Sequence, residues 1–255
     1  MSSELNQSIE TLRTVHVESR GLYGRLSPLP KVVFTIGHLI LTVSIGPYDW
    51  CATLIFAIVP YFLAALGGVS PIRLLKLAVL ATPLVLCAGI GNCFFDVNAQ
   101  FFVYNWPISG GLVSLFVLSG KTLSSVGIAL LLGATTPMSQ ISRALTSLRV
   151  PCLFVLQIQL LFRYLLLTLE EARNVLDAYA LRNPDRKIIP VQEWGPLVGQ
   201  LFVRTVRRSN MVYLAMQCRL FSARNPLPGA RPATVFQWLA VGAVLAVLAV
   251  LATRS

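Results

Sequence analysis

The chain has 255 residues, 55% apolar and only 12% charged, and its 21 Lys and Arg against 10 Asp and Glu give a formal charge of +11. Soluble domains average about 25% charged residues. Half that share, with a mean hydropathy of +0.71, excludes an ordinary globular enzyme. The apolar residues come in long runs, so the expected fold is all-α: a multi-spanning membrane helical bundle of about five spans, with a cytoplasmic insert of about three amphipathic helices.

Residues 1–31 are polar and basic, with no short apolar core before a small-residue cleavage site, and read as a cytoplasmic N-terminal arm. The spanning candidates are 32–45, 50–66, 74–95 and 111–133, filling residues 32–133, and 233–251 within a C-terminal segment 233–255. A helix needs about 20 apolar residues to cross the hydrocarbon core, which the last three satisfy. The first two are short, and Gly46-Pro47-Tyr48-Asp49 between them predicts a helical hairpin that tilts or sits shallow.

Basic residues set the orientation. Arg13, Arg20, Arg25 and Lys31 lie in the arm, and Arg73 and Lys76 in the second loop. The loops 46–49 and 96–110 hold Asp49 and Asp96 but no Lys or Arg, and carry Tyr48, Trp50, Tyr104 and Trp106 as interfacial aromatics. The N-terminus and residues 134–232 are then cytoplasmic, and every basic residue except Lys121 and Arg254 lies on that side. Residues 152–169 are also long enough to span. Crossing there would put ten Lys and Arg outside and bury Arg163 at about 2.5–3.5 kcal/mol. Continued to Arg182, the same helix gathers Gln159, Arg163, Glu170, Arg173, Asn174 and Asp177 into a stripe about 100° wide, which suits an amphipathic helix under the membrane.

The insert reads as three helices: 138–148 after Thr136-Pro137, 152–182 ended by Asn183-Pro184, and 196–221 opened by Pro196 and followed by Asn225-Pro226. No strand pattern appears.

Five scattered cysteines (Cys51, Cys87, Cys93, Cys152, Cys218) have no zinc-ligand spacing and read as inert thiols. Gly120-Lys121-Thr122 lacks the second glycine of a phosphate loop, since Leu115 stands five positions earlier in an apolar helix. Lys121 remains a charge near the middle of a span, either snorkelling or a candidate contact to a membrane partner. His16 and His38 sit in different surroundings without ligand-spaced partners, no nucleophile–base pair is visible, and the spans hold no central Asp or Glu for proton coupling. No catalytic residue and no cofactor are expected.

The informative feature is the insert, whose residues 135–225 hold 12 basic against five acidic residues. Arg204, Arg207 and Arg208 share a face at i, i+3 and i+4 with no acid to pair them, which predicts an anionic counterpart in lipid headgroups or an acidic protein surface. Each long helix ends near an arginine, Arg182 before Asn183-Pro184 and Arg219 before Asn225-Pro226. Such a residue either complements its own helix dipole or inserts as a planar fork between partner carboxylates.

Thr135-Thr136-Pro137, Arg149-Val150-Pro151, Arg163-Tyr164-Leu165, Glu170-Glu171 and Val212-Tyr213-Leu214-Ala215-Met216 leading into Cys218-Arg219-Leu220-Phe221 run in order along the chain. In these the chain resembles the CbiQ/EcfT family, the transmembrane component of energy-coupling-factor transporters. Gly110-Gly111 and the run into Thr135-Thr136-Pro137 bring it nearest the cobalt/nickel branch.

The resemblance implies a non-catalytic scaffold in a multi-pass bacterial inner membrane protein. Its implied partners are ABC-type ATPase subunits (CbiO-like), a substrate-binding membrane component (CbiM-like), a small accessory membrane subunit (CbiN-like) and membrane lipid, with no nucleic acid. Two coupling helices would end in an X-Arg-X motif whose arginine docks on each ATPase. The matching triplets are Leu181-Arg182-Asn183 and Cys218-Arg219-Leu220, with Arg204, Arg207 and Arg208 as a supporting basic face. The family pattern is Ala-Arg-Gly or Ala-Arg-Ser, so this chain keeps both arginines and has larger neighbours. The implied function is coupling in an ATP-driven importer of a divalent transition metal, cobalt first, with nickel or a vitamin as alternative cargo. An autonomous secondary carrier or a lipid enzyme are the readings from other classes.

Overall fold

The computed structural model describes Tyr23 and residues 26–46, 49–83, 85, 87, 89, 100–103, 106–184, 189–221 and 234–254. Among these, eight helices are bounded: α1 (Pro28–Ser44), α2 (Trp50–Leu66), α3 (Pro71–Val79), α4 (Gly110–Thr135), α5 (Met138–Ser147), α6 (Cys152–Arg182), α7 (Val191–Cys218) and α8 (Val235–Arg254). The fold is an all-helical membrane bundle apart from one small hairpin. Three stretches are long and apolar enough to cross a bilayer, Val113–Thr135, Cys152–Arg182 and Val235–Ala252, while α1 and α2 are shorter apolar helices. The N-terminal residues Arg13, His16, Arg20 and Arg25, the loop residues Tyr48, Asp96 and Tyr104, and Cys93 lie outside the described residues.

Three expectations are corrected. The helix expected to run unbroken over 74–95 is interrupted: α3 ends at Val79, Leu80 and Ala81 form a turn, and helical residues resume at Thr82, while 84, 86, 88 and 90–95 lie outside the described residues. Pro83 explains the break, because it has no N–H to give to the Val79 carbonyl four residues back. Strands do occur: β1 (Gln100–Val103) and β2 (Trp106–Ser109) pair antiparallel in the register Val103 to Trp106 and Gln100 to Ser109. The last insert helix starts at Val191, not at Pro196, which sits inside α7 where only the first turn loses a bond.

The described residues divide into two compact units, His16–Ala144 with Ala230–Ser255, and Leu145–Gly229. In the first, α2 packs on α4 through small residues of α4. A Cβ on Gly120 would come within 2.6 Å of Thr53 Cγ2, and one on Gly127 within 3.3 Å of Pro60 and Tyr61. A side chain at position 120 would therefore have to displace the Thr53 methyl, and glycine lets the two helices pack closely there. The apparent phosphate-loop glycine is a packing residue.

Ser124, between these glycines, resolves a backbone problem set by α2. Pro60 lacks the N–H that would bond the Phe56 carbonyl, and the Ser124 hydroxyl donates to that oxygen at 2.9 Å. With its one proton committed, Ser124 Oγ can only accept from His38 Nε2, 2.9 Å away. The fully buried His38 ring lies between Phe34 and Phe56, with centroids 6.0 and 5.4 Å away. One serine thus ties α1, α2 and α4 together. Nearby, Tyr61 Oη donates to the Leu123 carbonyl at 3.1 Å.

At the mouth of the unit the Lys31 ammonium sits 5.3 Å from the Tyr23 ring centroid, and burial holds the Tyr23 phenol well above its ordinary pKa. Lys121 Nζ donates to the Ile45 carbonyl at 2.5 Å, a carbonyl left open where α1 ends. This intramembrane charge therefore has a partner within its own chain, at the negative end of a helix.

Candidate partner-docking site

The second unit is built from α6 and α7, an antiparallel pair. α6 has 31 residues and α7 has 28, and their polar residues meet at two places along the seam. Near the turn, Tyr179 Oη donates to the Glu193 carboxylate, joining the last turns of α6 to the first turn of α7. Further along, Glu171 reaches Arg208 at 3.0 Å and Arg204 at 3.5 Å, one carboxylate oxygen to each, with its own side chain only 18% exposed. This corrects the expected unpaired basic face: the acid comes from the neighbouring helix, more than thirty residues away in sequence, so a reading of i, i+3 and i+4 spacing on one helix does not see it. Arg207 alone of the three points away, exposed and without an ion pair among the described residues.

A cavity of about 420 Å³ opens between Leu160, Leu161 and Tyr164 of α6 and Val212, Tyr213 and Met216 of α7. The stripe predicted along α6 is partly spent inside the chain: Arg173 pairs with Asp177 at 3.6 Å, and Arg163 lies 5.9 Å from the ring of Tyr164.

The two helix ends carry the expected triplets. α6 stops at Arg182 because Asn183 leaves helical backbone angles and Pro184 follows. Asn183 closes the end, its N–H bonding the Tyr179 and Ala180 carbonyls and its Nδ2 donating to Tyr179 O at 3.3 Å. α7 ends differently. Phe221 N–H reaches the Met216 carbonyl at 3.0 Å and Leu220 N–H the Gln217 carbonyl at 2.9 Å, the bond pair of a Schellman motif. The motif needs a left-handed residue just past the cap. α2 places Gly68 there, at φ 74°, but α7 places Leu220 there, at φ 51°. A side chain in that conformation costs about 1–2 kcal/mol. Arg149, at φ 63° before Val150-Pro151, closes α5 in the same way.

Arg182 and Arg219 are both exposed, and among the described residues neither has a carboxylate, ring or hydrogen-bonding side chain to occupy it. They stand at opposite ends of the pair. The 28 residues of α7 separate them by on the order of 40 Å at about 1.5 Å per residue. The structure thus brings Arg204 and Arg208 together on one acid, and keeps Arg182 and Arg219 apart as two exposed cationic tips, unpaired among the described residues. The left-handed leucine and the Glu171 clamp were missed from sequence. A Leu immediately past a helix cap was the only available signal for the first.

The described residues thus form an apolar helical bundle suited to a membrane and, as a separate unit, a basic helical pair. The cobalt transport protein family CbiQ matches residues 23–228, and the chain belongs to that family. Membership implies a multi-subunit transporter with ATPase and membrane partners. No curated protein matches the chain.

Proposed function

We propose that this chain is the coupling component of an ATP-driven energy-coupling-factor importer for a divalent transition metal, with cobalt the first assignment. The supporting observation is the pair of exposed arginines, unpaired among the described residues, at opposite ends of one braced helix pair. Each tip would dock on one ABC-type ATPase subunit, its guanidinium forked between carboxylates. ATP binding closes the ATPase dimer and moves the two docked ends in concert. Because Glu171 and the Tyr179–Glu193 bond tie α6 to α7, the pair moves as a lever. The displacement passes along the chain to the membrane helices, which reorient the substrate-binding component so that it releases its cation inward. This chain hydrolyses no ATP. In this assignment the N-terminus and residues 134–232 face the cytoplasm of the bacterial cell, and the spans occupy 32–133 and 233–255.

The test is the double variant Arg182→Glu, Arg219→Glu in inner-membrane vesicles carrying the whole complex. Cobalt uptake should be abolished while ATP hydrolysis is either released from control or lost with the ATPases. Normal uptake by this variant would remove the docking assignment.

A further inference from the structure

Among the described large apolar residues the three most exposed are Leu220 at 91%, Val191 at 87% and Leu181 at 84%. All three sit at the helix ends beside the exposed arginines. Leu181 precedes Arg182, and Val191 opens α7, which the Tyr179–Glu193 bond holds against the last turns of α6. Leu220 follows Arg219. Exposed apolar residues scattered singly need no explanation, but the extremes coinciding at two sites tens of ångströms apart do.

Leu220 carries a second, independent sign. Its backbone is held left-handed at a position that α2 gives to glycine, and its side chain is left exposed among the described residues. A strained, bulky residue kept in the open is compensated elsewhere.

We propose that Leu181 and Leu220 are apolar anchors that determine which ATPase this chain accepts. At each tip the partner offers a carboxylate for the arginine and, beside it, an apolar shelf for the leucine, with Val191 widening the contact at the α6 end. The guanidinium beside each leucine, exposed and unpaired among the described residues, offers a planar fork that carboxylates of an acidic protein partner match in pairs. An ATPase shaped for small residues flanking its arginine would leave no room for these side chains, so the leucines act as a selectivity element as well as a contact.

This inference rests on the docking assignment above, and the experiment separates the two. The full-length tagged chain in mild detergent is titrated with the purified ABC-type ATPase of its own importer, and retained ATPase is measured. Leu181→Ala and Leu220→Ala should each weaken retention about tenfold and together about a hundredfold, since the sites are far apart. Leu181→Met and Leu220→Met should retain it. Leu220→Gly gives the sharpest readout: relief of the left-handed strain should raise the thermal midpoint of the chain while retention falls. Unchanged retention in the alanine variants, with Arg182→Glu and Arg219→Glu still releasing the ATPase, would overturn the anchors and leave the arginines standing. That is also the result expected if the leucines contact lipid, because detergent removes the bilayer. Retention by the arginine variants as well would sink the docking assignment itself.

Discussion

Ser124 is a single hydroxyl placed where two buried groups of other helices would otherwise lack partners. Removing it orphans the Phe56 carbonyl and the His38 Nε2–H together, and neither can reach water from a buried position. Leaving buried polar groups unpaired costs about 1–3 kcal/mol. Ser124→Ala should therefore lower the unfolding free energy in detergent by an amount in that range. The cause can be isolated, because the carbonyl is open only on account of Pro60. In a Pro60→Ala background residue 60 supplies its own N–H to Phe56, so the same serine substitution should cost roughly half as much. Equal costs in the two backgrounds would mean that Ser124 acts through packing between α2 and α4, not through the bond.

At the level of elements, the ends of α2 and α6 were legible to the residue. Trp50–Leu66 is a mostly apolar run free of charged residues and closed by Gly67-Gly68, and Cys152–Arg182 lies between Pro151 and Asn183-Pro184. Signals of this kind are local, and local reading suffices for them. The misses have different physics. Four-residue strands containing Pro107 are too short for an alternating pattern and lack a donor, so β1 and β2 were invisible. Pro196 was read as a helix start because prolines favour that place, whereas Pro190 had already capped the helix. Arg182 and Arg219 were legible, but their separation and the Glu171 clamp depend on how α6 folds against α7.

That clamp is testable as an element. Glu171→Gln keeps the shape and removes the charge, leaving Arg204 and Arg208 to repel each other one turn apart. Both arginines are more than a third exposed, so water screens much of the effect, and the loss should be about 1 kcal/mol. Amide exchange around residues 204–208 of α7 should then quicken roughly fivefold, with the exchange of α4 unaltered. No change in α7 would show that apolar contact alone holds the pair.

For the whole molecule the decisive quantity is the side of the membrane on which Leu145–Gly229 lies. α6 is long enough and, over its first half, apolar enough to cross, so its length does not settle the question. Charge argues against crossing. Arg163 would enter the hydrocarbon at about 2.5–3.5 kcal/mol, and the basic residues from Arg173 onward would be translocated against the inward bias of Lys and Arg. Cys218 is a native reporter on this point, an exposed free thiol one residue before Arg219. With the other four cysteines replaced by Ala, a membrane-impermeant maleimide should label Cys218 in inside-out vesicles and not in intact cells. ATPase bound at the tip should slow the reaction, because the thiol sits within the docked triplet. Labelling from outside the cell would mean that α6 spans the bilayer and that Arg182 and Arg219 face away from any nucleotide. An importer driven from the cytoplasm could not then use them.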